Sequence, residues 1–113
     1  RYRLRNLTTL TKFPGTLARY QDQIIEVFAR AVPAKKFEVF LFGSRARGDE
    51  EEGSDADLAI SGTEIDRSDL SLIREQWEYS TIPVMLDLVD LKDINSALTE
   101  QIEKEKVLLW TSN

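Results

Sequence analysis

Residues 43–57, GSRARGDEEEGSDAD, are the part of this chain whose residue types and spacing could do chemistry. A Gly-Ser pair precedes two arginines, and a run of carboxylates follows them. A phosphate can approach a glycine backbone closely, and the free N–H groups that begin a helix bind anions. Arginine at a helix start opposes the helix dipole unless an anion lies beside it, although solvated arginines are common on surfaces. The candidate phosphate-binding residues are Gly43, Ser44, Arg45 and Arg47, and the sequence does not rank the two arginines.

Asp55 and Asp57 are candidate metal ligands. Residues i and i+2 of a strand share a face and lie about 6–7 Å apart at the backbone. Their carboxylates can therefore converge on one cation or bridge two. Ligands that are all oxygen suit Mg²⁺ or Mn²⁺, which also take substrate phosphates. The apolar residues 58–60 follow at once, which favours the mouth of a buried strand over a solvated strand end.

Asp87 is the third candidate ligand, within the apolar run VMLDLV. Aspartate forms strands poorly and is costly to bury without a partner, so we expect a metal shared with Asp55 and Asp57 to compensate it. Asp90 is the rival. Strand alternation directs Asp90 to the opposite face, and its place at the strand end is near solvent, so we prefer Asp87.

The composition excludes several kinds of site. The 113 residues include neither cysteine nor histidine, which rules out disulfides, zinc–thiolate sites, cysteine nucleophiles and histidine-based triads. A net charge of −5 opposes binding of bulk nucleic acid. No apolar run reaches the roughly 18 residues of a membrane helix, and we expect a cytoplasmic protein. Because the sequence starts with arginine rather than methionine, the question of a removed leader peptide stays open. Basic residues are enriched only near the start, at Arg1, Arg3, Arg5 and Lys12.

Three helices should position the candidate ligands. Apolar residues at helical spacing predict helices over 17–31, over about 67–80, and around Ile94, Leu98 and Ile102. The predicted N-caps are Thr16 for the first helix, Asp66 or Ser68 for the second, and Asp93 for the third. Proline follows the predicted ends of the first and second helices, at Pro33 and Pro83.

Three strands are predicted, at 37–42, 57–60 and 84–91, and the apolar tail 107–110 should pack back on the core. About fourteen residues join the first two strands, which is too short for a full crossover helix. We therefore expect an α+β fold, with a mixed or antiparallel sheet and helices on one side.

The domain prediction is one domain over 1–113, with an N-terminal arm at 1–15 and a catalytic core at 37–91. Residues 50–52, three glutamates, are expected to form a solvated loop, or else to meet a basic patch on a partner.

The candidate residues together resemble the DNA polymerase β-type nucleotidyltransferase superfamily. The pattern is Gly43-Ser44, ten intervening residues, Asp55-Ala56-Asp57, and later Asp87 between apolar residues. The short chain and the form GSRARG are similar to minimal nucleotidyltransferases, the MNT domains. The resemblance implies a mixed sheet flanked by helices, a Gly-Ser turn on the nucleotide triphosphate, and three aspartates that bind two divalent ions.

The resemblance also implies a function. MNT proteins are often encoded beside a helical HEPN protein and act as its antitoxin. The implied reaction transfers AMP from Mg²⁺–ATP to a hydroxyl, a tyrosine of that partner. The acceptor surface is expected from a partner chain or a second copy of this one. Nucleotide preference, the number of AMP units and the oligomeric state do not follow from the sequence.

Three other functions are compatible with parts of the sequence. A non-catalytic module could mask a toxic partner by contact alone, but binding by itself needs no set of three carboxylates. A small-molecule nucleotidyltransferase generally carries a further helical domain to hold its acceptor. The acidic balance and the lack of a template-binding segment oppose a nucleic-acid polymerase or tailing enzyme.

Overall fold

The computed structural model describes residues 7–9, by their backbone, and residues 12–112. The predicted N-terminal arm is thus only partly described, and its Arg1, Arg3 and Arg5 lie outside the described residues. The elements in chain order are β1 (Leu7–Thr9), a 3-10 helix (Gly15–Tyr20), α1 (Gln21–Ala31), β2 (Glu38–Phe42), α2 (Gly43–Arg47), β3 (Ala56–Ser61), α3 (Arg67–Tyr79), β4 (Leu86–Asp90), α4 (Ser96–Glu105) and β5 (Val107–Ser112).

The five strands form one mixed sheet in the order β1-β5-β2-β3-β4. β5 runs antiparallel to both β1 and β2, β2 runs antiparallel to β3, and β3 runs parallel to β4. The α+β class with a mixed sheet is confirmed. The tail at 107–110 does pack on the core, but as part of a strand inside the sheet rather than as a loose segment.

Helices cover both faces of the sheet, so the predicted placement on one side is wrong. β2 carries apolar side chains on both faces of the sheet. Val39 and Leu41 join a large cluster with α1 and α3, whereas Phe40 and Phe42 join a small cluster with Ile102 of α4. Because every residue of β2 from Val39 onward is buried, this strand needs cover on each face.

Helix ends follow local hydrogen bonding. Asp66 caps α3 as predicted, in a capping box where its side chain accepts from the Asp69 N–H and the Asp69 side chain accepts in return. The predicted caps Thr16 and Asp93 are wrong. The Thr16 region is a 3-10 helix, and α4 begins two residues later than predicted with Asn95 as its cap. No described helix combines the length and apolar character needed to cross a membrane.

Candidate active site

Asp57 and Asp87 face each other on adjacent strands. β3 and β4 are parallel, and their register pairs Asp57 directly with Asp87. Neighbouring strands lie about 4.8 Å apart, so the two carboxyl groups leave the sheet side by side. Both lie on the face that α4 covers, because Leu58 and Leu88, the next residues along each strand, belong to the cluster on the opposite face. Strand pairing thus joins two acids that are thirty positions apart in sequence.

Asp55 lies at the same corner, immediately before β3, and its side chain is exposed. Burial, the charges of Asp87 and Asp55, and a hydrogen bond to Asp87 together raise the pKa of Asp57 to about 6, against a smaller opposing effect of Arg47. Like charges this close disfavour ionisation unless a cation neutralises them. Across the described residues, no ion pair includes any of the three aspartates. The corner therefore carries excess negative charge.

The donor set fits a hard divalent cation. Carboxylate oxygens are the ligands that Mg²⁺ and Mn²⁺ prefer, and the raised pKa of Asp57 marks charge that such an ion would neutralise. Within residues 12–112, no group of three acidic side chains lies close enough together to bind a metal ion in the present rotamers. Asp55 and Asp87 are exposed, so rotamer changes can bring their oxygens onto a shared ion.

Asp87 was expected to be buried and Asp90 to lie near solvent, and both expectations are wrong, although the two side chains do lie on opposite faces of β4. Asp87 is exposed at the start of β4, and Asp90 is the buried residue, at 4% exposure. Lys92 compensates Asp90 directly, with Nζ donating to Oδ2 at 2.7 Å. The apolar residues on both sides of Asp87 in the sequence suggested burial, but Asp87 lies at the exposed edge where β3 and β4 begin.

Gly43 is the residue that lets β2 turn beside Asp57. Its φ is +75°, in the region that favours glycine, and a Cβ there would lie 2.0 Å from Asp57 Oδ2. The predicted strand, glycine turn and short helix are confirmed as β2 followed by α2. Ser44 lies in the first turn of α2, and its carbonyl accepts from the Asp49 N–H at 3.0 Å.

The two arginines of α2 are engaged differently. Arg45 is buried, at 6% exposure, and its Nε and Nη2 donate to the Ser54 carbonyl while its Nη1 donates to Thr16 Oγ1. A phosphate could reach Arg45 only if these bonds broke. Arg47 is exposed, and its charge acts on Asp57. Arg47 is also bonded, to Asp49 and to Glu105, but it is the more accessible of the two arginines, whereas Arg45 holds the loop that leads to Asp55.

Glu105, at the end of α4, is part of this corner and was not predicted. Its Oε1 accepts the Gly43 N–H at 2.8 Å and its Oε2 accepts from Arg47 Nη1 at 3.0 Å. Burial opposes ionisation of Glu105, but these two donors outweigh it and hold its pKa below the ordinary value. Residues 100–106, EQIEKEK, contain three glutamates, and nothing in their spacing distinguishes Glu105.

The family of the chain follows from its sequence. Residues 22–113 match the family described as Polymerase beta, Nucleotidyltransferase. The chain belongs to this family. The match extends beyond the predicted core at 37–91 in both directions, and so includes α4 and β5. No curated protein matches the sequence.

Solved structures give the same result for the fold. A toxin–antitoxin structure with AMP-PNP is 26% identical, with a TM-score of 0.66 over 80% of this chain and 72% of that one. A protein described as a candidate minimal nucleotidyltransferase is 28% identical, with a TM-score of 0.63 over 81% and 91%. The tri-AMPylated Shewanella oneidensis HEPN toxin in complex with MNT antitoxin, at 24% identity, TM-score 0.61, and coverage of 81% and 70%, is similar in fold. The resemblance to minimal nucleotidyltransferases is confirmed.

Proposed function

We propose that this protein transfers AMP from Mg²⁺–ATP to a hydroxyl of a partner protein, a tyrosine of a HEPN-type toxin, and so acts as the antitoxin. The observation that carries the proposal is the register of Asp57 with Asp87, beside Asp55 and the Gly43 turn. A structure 26% identical to this chain is a toxin–antitoxin with AMP-PNP, which supports both the nucleotide and the biological setting.

In this proposal the three aspartates divide the work. Asp55 and Asp57 would hold two divalent ions, Mg²⁺ or Mn²⁺, and Asp87 would be the third carboxylate ligand. When bound, the ions neutralise phosphate charge and lower the pKa of the acceptor hydroxyl. Asp87, exposed at the strand start, receives the hydroxyl proton and passes it to water.

The backbone and side chains of α2 hold the phosphates. The acceptor oxygen forms a bond to the α-phosphorus, and the bond from that phosphorus to the pyrophosphate oxygen breaks. Ser44, the Gly43 amide and Arg47 bind the departing pyrophosphate, since backbone N–H groups and an exposed guanidinium suit that charge. Arg45 positions the loop before Asp55 through its bonds to Ser54.

The test is an incubation of the protein with ATP, Mg²⁺ and the product of the adjacent gene, after which both proteins are weighed by intact mass spectrometry. A gain of one or more AMP masses on the neighbour supports the proposal. Modification of this protein alone, or of neither, contradicts it.

A second candidate function is masking of a partner by contact alone, without transfer of a nucleotide. A mask would bind its partner without nucleotide. Calorimetric titration with Mg²⁺–AMP-PNP distinguishes the two, because only the transferase requires nucleotide binding.

A further inference from the structure

Two donors of the proposed nucleotide site are already occupied within the protein. The carboxylate of Glu105 accepts from the Gly43 N–H and from Arg47 Nη1, with one oxygen on each. Its side chain is 13% exposed, so the contact is largely shielded from water. Carboxylate and phosphate oxygens accept the same charge-assisted hydrogen bonds, and each excludes the other from a given donor.

We infer that Glu105 is an internal competitor of the nucleotide, which holds the Gly43 amide and Arg47 until phosphate oxygens displace it. The inference rests on the proposed function and deepens it, because it names what limits nucleotide affinity at that same site. It also links α4, which ends at Glu105, to the occupancy of the site.

The local charges indicate that Glu105 competes with the nucleotide and does not only stabilise the Gly43 turn. Gly43 lies between two carboxylates, with Glu105 on its N–H and Asp57 against the position of its missing Cβ. A triphosphate brought to this corner meets the negative charge of Glu105 as well as its occupied donors. Divalent ions bound to Asp57 offset the charge of Asp57, but they leave that of Glu105 in place.

Arg47 can exchange Glu105 for a phosphate without losing its other ion pair. Its Nε pairs with Asp49 Oδ2 at 3.2 Å, separately from the Nη1 contact with Glu105. When Nη1 moves from Glu105 to a phosphate, the bond to Asp49 can persist. Glu105 is the last residue of α4, where a side chain can leave without disturbing the helix interior.

The experiment is calorimetric titration of the full chain with Mg²⁺–AMP-PNP, for the parent, Glu105→Ala and Glu105→Gln. Loss of a competing charged acceptor should tighten the Kd of Glu105→Ala about tenfold. Glu105→Gln, which keeps one acceptor oxygen and loses the charge, should tighten binding by a smaller factor. Glu100→Ala is the matched control, since it removes an exposed charge from the same helix and should leave Kd unchanged.

Each outcome decides something. Tighter binding by the Glu105 variants but not by Glu100→Ala, or binding by the Glu105 variants alone, supports the inference. Unchanged or weaker binding, or an equal gain in Glu100→Ala, overturns it and leaves the proposed function standing. Failure of every protein to bind, the parent included, overturns both. Melting followed by circular dichroism checks that each variant is folded. If Glu105→Ala does not fold, the result for Glu105→Gln is the test of the inference.

Discussion

The two ends of the β3–β4 pair treat acidic residues in opposite ways. Where both strands start, Asp57 and Asp87 face each other and no described ion pair includes either of them. Near the other end, buried Asp90 pairs with Lys92 at 2.7 Å and buried Asp69 pairs with Lys35 at 2.6 Å.

The difference separates acids that the fold neutralises with its own lysines from acids that no described ion pair neutralises. Lys92 also donates to the carbonyls of Gly62 and Ile65, so its ammonium ties the loop between β3 and α3 to the end of β4. Lys35 reaches both acids of the α3 capping box, Asp66 and Asp69. The fold thus provides a lysine where an acid is only structural. Among the described residues, no lysine pairs with Asp55, Asp57 or Asp87 at the mouth of the sheet, where the proposed Mg²⁺ would supply the positive charge.

The largest effect should come from the unpaired end. Replacing Asp55, Asp57 or Asp87 by alanine should lower AMP transfer by about 10²–10⁴-fold, because each removes a metal ligand or the proton acceptor. Labelled AMP on the partner is the readout. The control is Asp93→Ala, an exposed aspartate after β4. Transfer at the parent rate in all three variants would show that the site is misassigned.

At the paired end the effect should be on stability. Lys92→Ala leaves Asp90 buried without its cation, and we expect it to lower the free energy of unfolding by about 2–3 kcal/mol. Urea denaturation measures the change. Lys104→Ala, in the last turn of α4, is the matched control and should change stability little. If Lys92→Ala lost no more stability than Lys104→Ala, the charge of Asp90 would have to be neutralised by another group.

A pair of glycine variants tests the contact that shapes the unpaired end. Gly43 and Gly48 have φ of +75° and +82°, so alanine at either should cost about 1–2 kcal/mol of stability. A Cβ at Gly43 also displaces the Asp57 carboxylate, whereas one at Gly48 meets nothing within 4 Å. Only Gly43→Ala should lose AMP transfer. Equal activity in the two variants would remove Gly43 from the site.

The smallest effect is a pH dependence of the metal-free protein. Folding raises the pKa of Asp57 to about 6, so its contribution to stability is present below the unfolded value near 3.8 and is lost as pH rises through 6. Asp57→Asn should therefore match the parent near pH 4. Above pH 6 it should be more stable by on the order of 1 kcal/mol, after allowance for solvent screening. Thermal melts in EDTA measure this, and a gain that is constant with pH would contradict it.

Local patterns predicted much of the fold. Short apolar runs and turn residues placed β2, the Gly43 turn and β3, and Asp66 was one of the predicted caps, because these features depend on neighbours in sequence. β5 was missed as a strand, because the apolar run VLLW does not reveal its pairing with β2, which is a long-range contact.

The arrangement of the candidate site was predictable where residue type and spacing carried the signal. Asp55 and Asp57 fall into this class, and Asp87 was chosen partly on a wrong burial argument but meets Asp57 in register. The burial of Arg45 and the contact of Glu105 with Gly43 were not predictable. Glu105 lies 62 positions from Gly43, and its partners exist only once the sheet is assembled.

The position of β5 has a consequence for how the protein forms in the cell. β5 lies between β1 and β2, so β2 has only one neighbouring strand until residue 112 has left the ribosome. Folding during synthesis therefore cannot complete the sheet from its first strands outward. Until then the newborn chain exposes the hydrophobic side chains and unpaired backbone groups of β2 to chaperones and to neighbouring chains.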